Sequence, residues 1–177
     1  MLGLYLAQMR GGEHAVNAQA VMRELRGLPD HIQTVLDRMD RVIEIARFMA
    51  DSRSVLFLGR NVGYPIALEG ALKLKEIAYI HAEGFAAGEL KHGPIALIEP
   101  GQPVFIVVPG PDTPHELHKK VVSNIQEIRA RGARTLVIAE DGDEDVVPFA
   151  DEVIRVPATL PLLMPLLSLA YWLAMRG

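Results

Sequence analysis

The chain has no cysteine in its 177 residues, which excludes a disulfide framework and a thiol nucleophile. It has no surplus of positive charge either. Lys and Arg number 18 against 22 Asp and Glu, a net charge of −4, so nothing marks it as a partner of nucleic acid or of an anionic membrane surface. It lacks a clean membrane-spanning run. The stretch over residues 160–176 is apolar, but Pro161, Pro165 and Ser168 interrupt it. It barely reaches the roughly 20 residues that a bilayer requires, and a buried helix is expected there. The opening MLGLYLAQMR has no basic leader region and no small-residue cleavage site. No targeting segment follows from it, and a cytoplasmic protein is expected.

Several chemical signatures are also missing. There is no GxGxxG, no phosphate-binding lysine loop and no Gly-x-Ser-x-Gly elbow. His115 and His118 are three apart, whereas a zinc-protease helix places its histidines four apart. Asp141, Asp143 and Asp145 imitate the start of a calcium loop, but Val146 stands where the turn glycine belongs. This segment is expected to be a solvated turn, so neither a metal nor any other cofactor is expected. No internal repeat or low-complexity tract occurs.

What remains is the pattern of one α/β domain. Half the residues are apolar, and a chain of this length can bury a sizeable core. Residues 1–10 have helical composition up to the break at Gly11-Gly12, and residues 13–26 form a second helix that Gly27-Leu28-Pro29 is expected to end. Residues 30–51 carry Ile32, Val35, Leu36, Met39, Val42, Ile43 and Met49 at helical spacing. Short runs over 54–58, 103–109, 134–139 and 152–156 are expected to be strands, with a second, shorter strand over 80–83. They alternate with helices over 64–79, 115–131 and 160–176 and a short helix over 86–92. That alternation predicts right-handed crossovers and a mostly parallel sheet of about five strands, flanked by helices in three layers, with a helical extension at the N-terminus.

The helix over residues 64–79 carries the chemistry. Glu69, Lys73 and Glu76 lie at i, i+4 and i+7 on one face of an otherwise apolar helix, and His92 follows sixteen residues later within GELKHGP. A carboxylate, an ammonium and an imidazole near one cleft suit proton transfer. Spacing alone equally describes a solvated face held by i,i+4 pairs.

The stretch ALEGALKLKEIAYIHAEGFAAGELKHGPIALI, from Ala67 to Ile98, closely resembles the isomerase part of the glutamine:fructose-6-phosphate aminotransferases, and within it the second of two sugar isomerase (SIS) domains. Weaker similarity covers nearly the whole chain. The resemblance implies conversion of fructose 6-phosphate and glutamine-derived ammonia to glucosamine 6-phosphate. It assigns Glu76 to moving a proton between C1 and C2, and His92 to opening the sugar ring in the active site of a neighbouring subunit, so a homodimer is implied. Lys73 would polarise or deprotonate sugar hydroxyls, with Glu69 holding it. Residues 1–29 would be an extension or linker from a first SIS domain and residues 30–177 the SIS domain itself. The glutaminase domain, the first SIS domain and a C-terminal tail with its lysine would lie outside this chain, and a fragment inactive by itself is expected.

Gly59 and Arg60 open the loop at the carboxyl end of the first strand, where α/β domains bind ligands. SIS domains commonly place serines and threonines there to hold a sugar phosphate, yet residues 59–70 contain neither. Gly59 and Arg60 are therefore expected to form only a weak substrate contact. Two other readings stay open: a stand-alone SIS module that binds a phosphosugar as a regulator, and a dimerisation scaffold in which the stripe is structural.

Overall fold

A computed structural model describes residues 2–113, 116–160, 163, 164, 167 and 168. Three N-terminal helices, α1 (Leu2–Arg10), α2 (Gly12–Leu36) and α3 (Asp40–Met49), lead into strand β1 (Ser54–Gly59). Then follow α4 (Gly63–Ala78), β2 (His81–Ala86), β3 (Pro103–Val107), α5 (Leu117–Ala130), β4 (Arg134–Glu140) and β5 (Glu152–Val156), with single 3₁₀ turns at Ala87–His92, Pro94–Leu97 and Val147–Phe149. The five strands form one sheet in the order β2-β1-β3-β4-β5, and every pairing is parallel. This is the layered α/β architecture that the alternating apolar runs imply.

The inner strands β1, β3 and β4 are apolar on both faces because helices cover both. Val55, Phe57, Phe105, Val107, Leu136 and Ile138 point to the side of α3 and α4. Leu56, Leu58, Val104, Ile106 and Val137 point to the side of α5. The period of two along each strand thus sorts one continuous apolar run into two cores. Phe57 and Phe105 stack across β1 and β3, with ring centroids 5.0 Å apart, an offset arrangement suited to aromatic pairs. Met164 and Leu167 join the α3/α4 core, but the helix expected over residues 160–176 otherwise lies outside the described residues. Among the described residues, no helix is long and apolar enough to cross a membrane.

One expectation about the helices is overturned. Gly27-Leu28-Pro29 does not end a helix: α2 runs through Pro29 to Leu36. Proline removes one helical hydrogen bond, but Leu28 and Ile32 pack against the core and Val35 is buried in it, so tertiary burial outweighs the local penalty. The break falls instead at residues 37–39, where the Asp37 and Met39 N–H groups donate to the carbonyls of Gln33 and Leu36. The amphipathic helix expected over 30–51 is therefore divided between the end of α2 and α3. The salt bridge from Arg41 to Glu152, at 2.6 Å, then ties α3 to β5.

The switch in strand order lies between β1 and β3, and the loops leaving their carboxyl ends define the crevice where parallel sheets accept ligands. Gly59 makes the first of these loops possible. A Cβ there would overlap the Gly63 carbonyl and stand 2.8 Å from the Tyr64 nitrogen, and backbone atoms do not yield as a flexible side-chain tip does. We expect Gly59→Ala to destabilise the domain by about 3 kcal/mol, a fall in Tm of roughly 6–12 °C for a chain of this size. A thermal melt showing no change would mean that the β1–α4 turn is looser than described.

Candidate active site

α4 starts at the loop after β1, leads back to the start of β2, and buries Ala67, Ala71 and Leu74. Its opposite face carries the stripe. Lys73 lies 2.9 Å from Glu76 and 3.4 Å from Glu69, so one ammonium sits between two carboxylates along two turns. The spacing of four, three and seven residues is what brings the three groups to one face. Glu69 was expected to be the holder of Lys73, but the shorter contact is with Glu76. The Glu76 hydrogen bond, followed by that of Glu69, raises the Lys73 pKa above its ordinary value. Lys73 is thereby kept as an ammonium, which suits polarising a hydroxyl or carbonyl and not removing a proton from one.

The three side chains differ in exposure. Lys73 is 22% exposed, Glu69 36% and Glu76 53%. Glu76 is the member most open to an incoming molecule. His92 is brought to a different place. It ends the 3₁₀ turn that follows β2, is largely solvent-exposed, and its Nδ1 lies 2.8 Å from its neighbour Glu89. Its ring pairs with Glu89 rather than with any residue of the stripe.

Gly59 and Arg60 fall where expected, at the carboxyl end of β1. The Arg60 guanidinium lies against Gly88, with Nη2 3.6 Å from the position a Gly88 Cβ would take. The loop on the other side of the crevice is acidic. Glu140, at the end of β4, presses its carboxylate so close to Gly110 that a Cβ there would stand 2.5 Å from it. Burial, then the charges of Asp143 and Asp112, raise the Glu140 pKa above the ordinary carboxyl value, against the lowering effects of the Thr159 backbone hydrogen bond and of His118. The sequence offered one signal for Glu140, a carboxylate directly following an apolar strand at its carboxyl end.

The raised pKa has a defined consequence for stability. The native state holds the Glu140 proton over a window in which the unfolded chain has lost it, so stability falls as pH rises from the ordinary carboxyl value through the native one. Glu140→Gln is expected to stabilise the domain at neutral pH by about 0.5 kcal/mol, after allowing for solvent screening of this partly buried group. The gain should vanish below the ordinary carboxyl pKa. Melting curves of the variant and parent at pH 7 and pH 4 measure both, and a variant less stable at pH 7 would contradict the assignment.

The solvated turn expected at Asp141 to Asp145 is only partly solvated. Asp143 is 3% exposed and lies 2.8 Å from Nε2 of His118, itself buried at the start of α5. The sequence did not reveal this pair, because its members are 25 residues apart and neither stands on an apolar periodicity that would mark it as buried. His118, Asp143 and the exposed Asp145 together present possible metal-ligand atoms within 4.8 Å of one another. The His118–Asp143 bond already joins the first turn of α5 to the turn after β4, which gives this group a structural role without an ion.

The SIS-domain family profile matches residues 48–169, and the chain belongs to the SIS-domain family. Its relatives narrow the class further. Over 168 residues it is 67% identical to a glutamine–fructose-6-phosphate aminotransferase (isomerizing) of Leifsonia xyli subsp. xyli, covering 95% of this chain and 27% of that protein. The protein of the same name from Corynebacterium glutamicum is 61% identical over the same shares. Among solved structures, the C-terminal domain of glucosamine-fructose-6-phosphate aminotransferase from Francisella tularensis superposes with a TM-score of 0.76 at 36% identity, covering 91% of this chain and 47% of that one. The chain thus spans about a quarter of the length of the curated relatives it matches.

Proposed function

We propose that this chain is the second SIS unit of an isomerizing glutamine–fructose-6-phosphate aminotransferase and supplies proton-transfer groups to an active site that it does not complete alone. The observation that carries the proposal is the stripe itself. Glu76 stands half open to solvent on the outward face of α4, beside an ammonium held charged by two carboxylates. A sugar imine lying on that face would meet a carboxylate able to take a proton from C1 and return it to C2. The Lys73 ammonium would stabilise the charge that builds on oxygen as the proton moves.

The crevice of this domain does not suit a phosphate. Its first loop has no serine or threonine over residues 59–70, and its second is flanked by Glu140 and Asp112, which act on one another as like charges. An anionic sugar phosphate would meet carboxylates there, with Arg60 as the cation of the first loop and the Thr113 hydroxyl as a donor on the second. The phosphate is therefore bound by another domain. Residues 1–29 serve as the extension towards that domain, and residues 30–177 as the SIS domain proper. His92, turned away from the stripe of its own chain, opens the sugar ring in the site of a second copy, which makes the working unit a cytoplasmic homodimer.

Titration calorimetry of the 177-residue chain with fructose 6-phosphate and with glucosamine 6-phosphate, with sedimentation alongside, tests the half-site directly. Binding no tighter than the millimolar range is expected. Micromolar binding would overturn the half-site reading and favour a self-sufficient phosphosugar-sensing module.

A further inference from the structure

Between α3 and α4, behind the charged stripe, lies a cavity of about 280 Å³. Its floor is core: Phe57 is 1% exposed and Leu74 7%. Its room comes from small residues, Ala46 and Ala50 on α3 and Gly70 on α4, and the single charged side chain that lines it is Lys73. The volume falls just below the range of ordinary small-molecule pockets, and the balance of an apolar wall with one polar group is theirs as well.

Lys73 determines what could enter. An ammonium has three donors, and among the described residues this one has two partners, Glu69 and Glu76. That leaves one donor without a carboxylate partner on a side chain that lines the cavity. The stripe as a whole, two carboxylates and one ammonium, carries a net charge of −1, so a carboxylate ligand would gain one attraction and meet two repulsions. A cation would meet the ammonium first and the carboxylates only beyond it, so for either sign the stripe returns little against the cost of desolvating the charge. A polyol would bring several hydroxyls to a wall that can satisfy one of them, and unpaired buried hydroxyls are costly.

We propose that this cavity is a binding site for a small uncharged ligand with an apolar, ring-sized body and one hydrogen-bond acceptor directed at Lys73. The site adjoins the substrate face through Lys73 and differs from it in its apolar wall, which would leave the hydroxyls of a phosphosugar unpaired. It does not depend on the stripe being catalytic. Where the stripe is catalytic, the ligand shares Lys73 with Glu76, so that occupancy of the cavity is felt at the outward face of α4.

Three probes of similar size separate the elements of this assignment: acetophenone, which has an uncharged acceptor, benzoate, which has a charged one, and ethylbenzene, which has none. Each is titrated into the 177-residue chain and followed through the methyl resonances of the leucines and isoleucines. Acetophenone is expected to bind saturably at millimolar concentration, with benzoate and ethylbenzene each at least about fivefold weaker. Ala46→Leu fills the mouth of the cavity from an exposed helical position and is expected to weaken acetophenone about tenfold while leaving the melting temperature nearly unchanged. Ala50→Leu provides the same closure from the neighbouring turn. Absence of saturable binding by acetophenone would overturn the site. Benzoate binding as tightly as acetophenone would overturn its charge preference, and ethylbenzene binding as tightly would overturn the role of Lys73. Undiminished acetophenone binding in both filled variants would place the ligand elsewhere.

Discussion

Glu76→Gln is expected to lower glucosamine 6-phosphate formation by about 10²–10⁴-fold, the range that a positioned general acid–base group contributes. The assay requires the remaining domains. They are available in a chimera in which this chain replaces the matching 168-residue segment of the Leifsonia xyli relative, to which it is 67% identical. The substitution keeps size and hydrogen-bonding capacity, and Glu76 is 53% exposed, with Lys73 as its ion-pair partner among the described residues. The stability cost should stay below about 1 kcal/mol, as for an exposed ion pair. Loss of activity without loss of fold is the expected signature, and it should appear in kcat more than in KM, because the proton moves in the transition state. A variant retaining a tenth or more of the parent kcat would remove Glu76 from the chemistry and leave the stripe as a structural ion-pair network. Glu69→Gln gives a useful contrast: it touches Lys73 at the longer 3.4 Å contact, and a smaller fall is expected.

Much of this arrangement can be read in the chain, and the parts that cannot have a common physical cause. The inner strands β1, β3 and β4 are visible because each is a short apolar run, and a strand buried on both faces needs no alternation to be recognised. The edge strand β2, HAEGFA, runs over 81–86 instead of the expected 80–83 and has no such run. The stripe is visible because helical spacing alone places Glu69, Lys73 and Glu76 on one face. The continuation of α2 through Pro29 is not visible, since it depends on Leu28 and Ile32 finding a core made of residues far along the chain. The burial of Asp143 is hidden for the same reason: its partner His118 comes from the start of a helix on another part of the fold. The raised pKa of Glu140 follows from burial and from Asp112 and Asp143 converging on it, a product of the sheet order. The pairing of His92 with Glu89, and with no member of the stripe among the described residues, is likewise a fact of three dimensions.

That position gives the second large effect. A site assembled from two copies predicts that groups lost from different subunits can complement each other. Glu76→Gln and His92→Ala are each expected to reduce the chimera to about 1% of its parent activity or less as homodimers. A heterodimer carrying one substitution on each subunit, isolated through two different affinity tags, would hold one site with both defects and one site with neither. The measurement is the specific activity of that heterodimer. About half of the parent activity is expected, since one of two symmetry-related sites is intact. A heterodimer as inactive as the two homodimers would show that Glu76 and His92 serve the same subunit's site, and would contradict the proposal that this domain completes its active site with a second copy of itself.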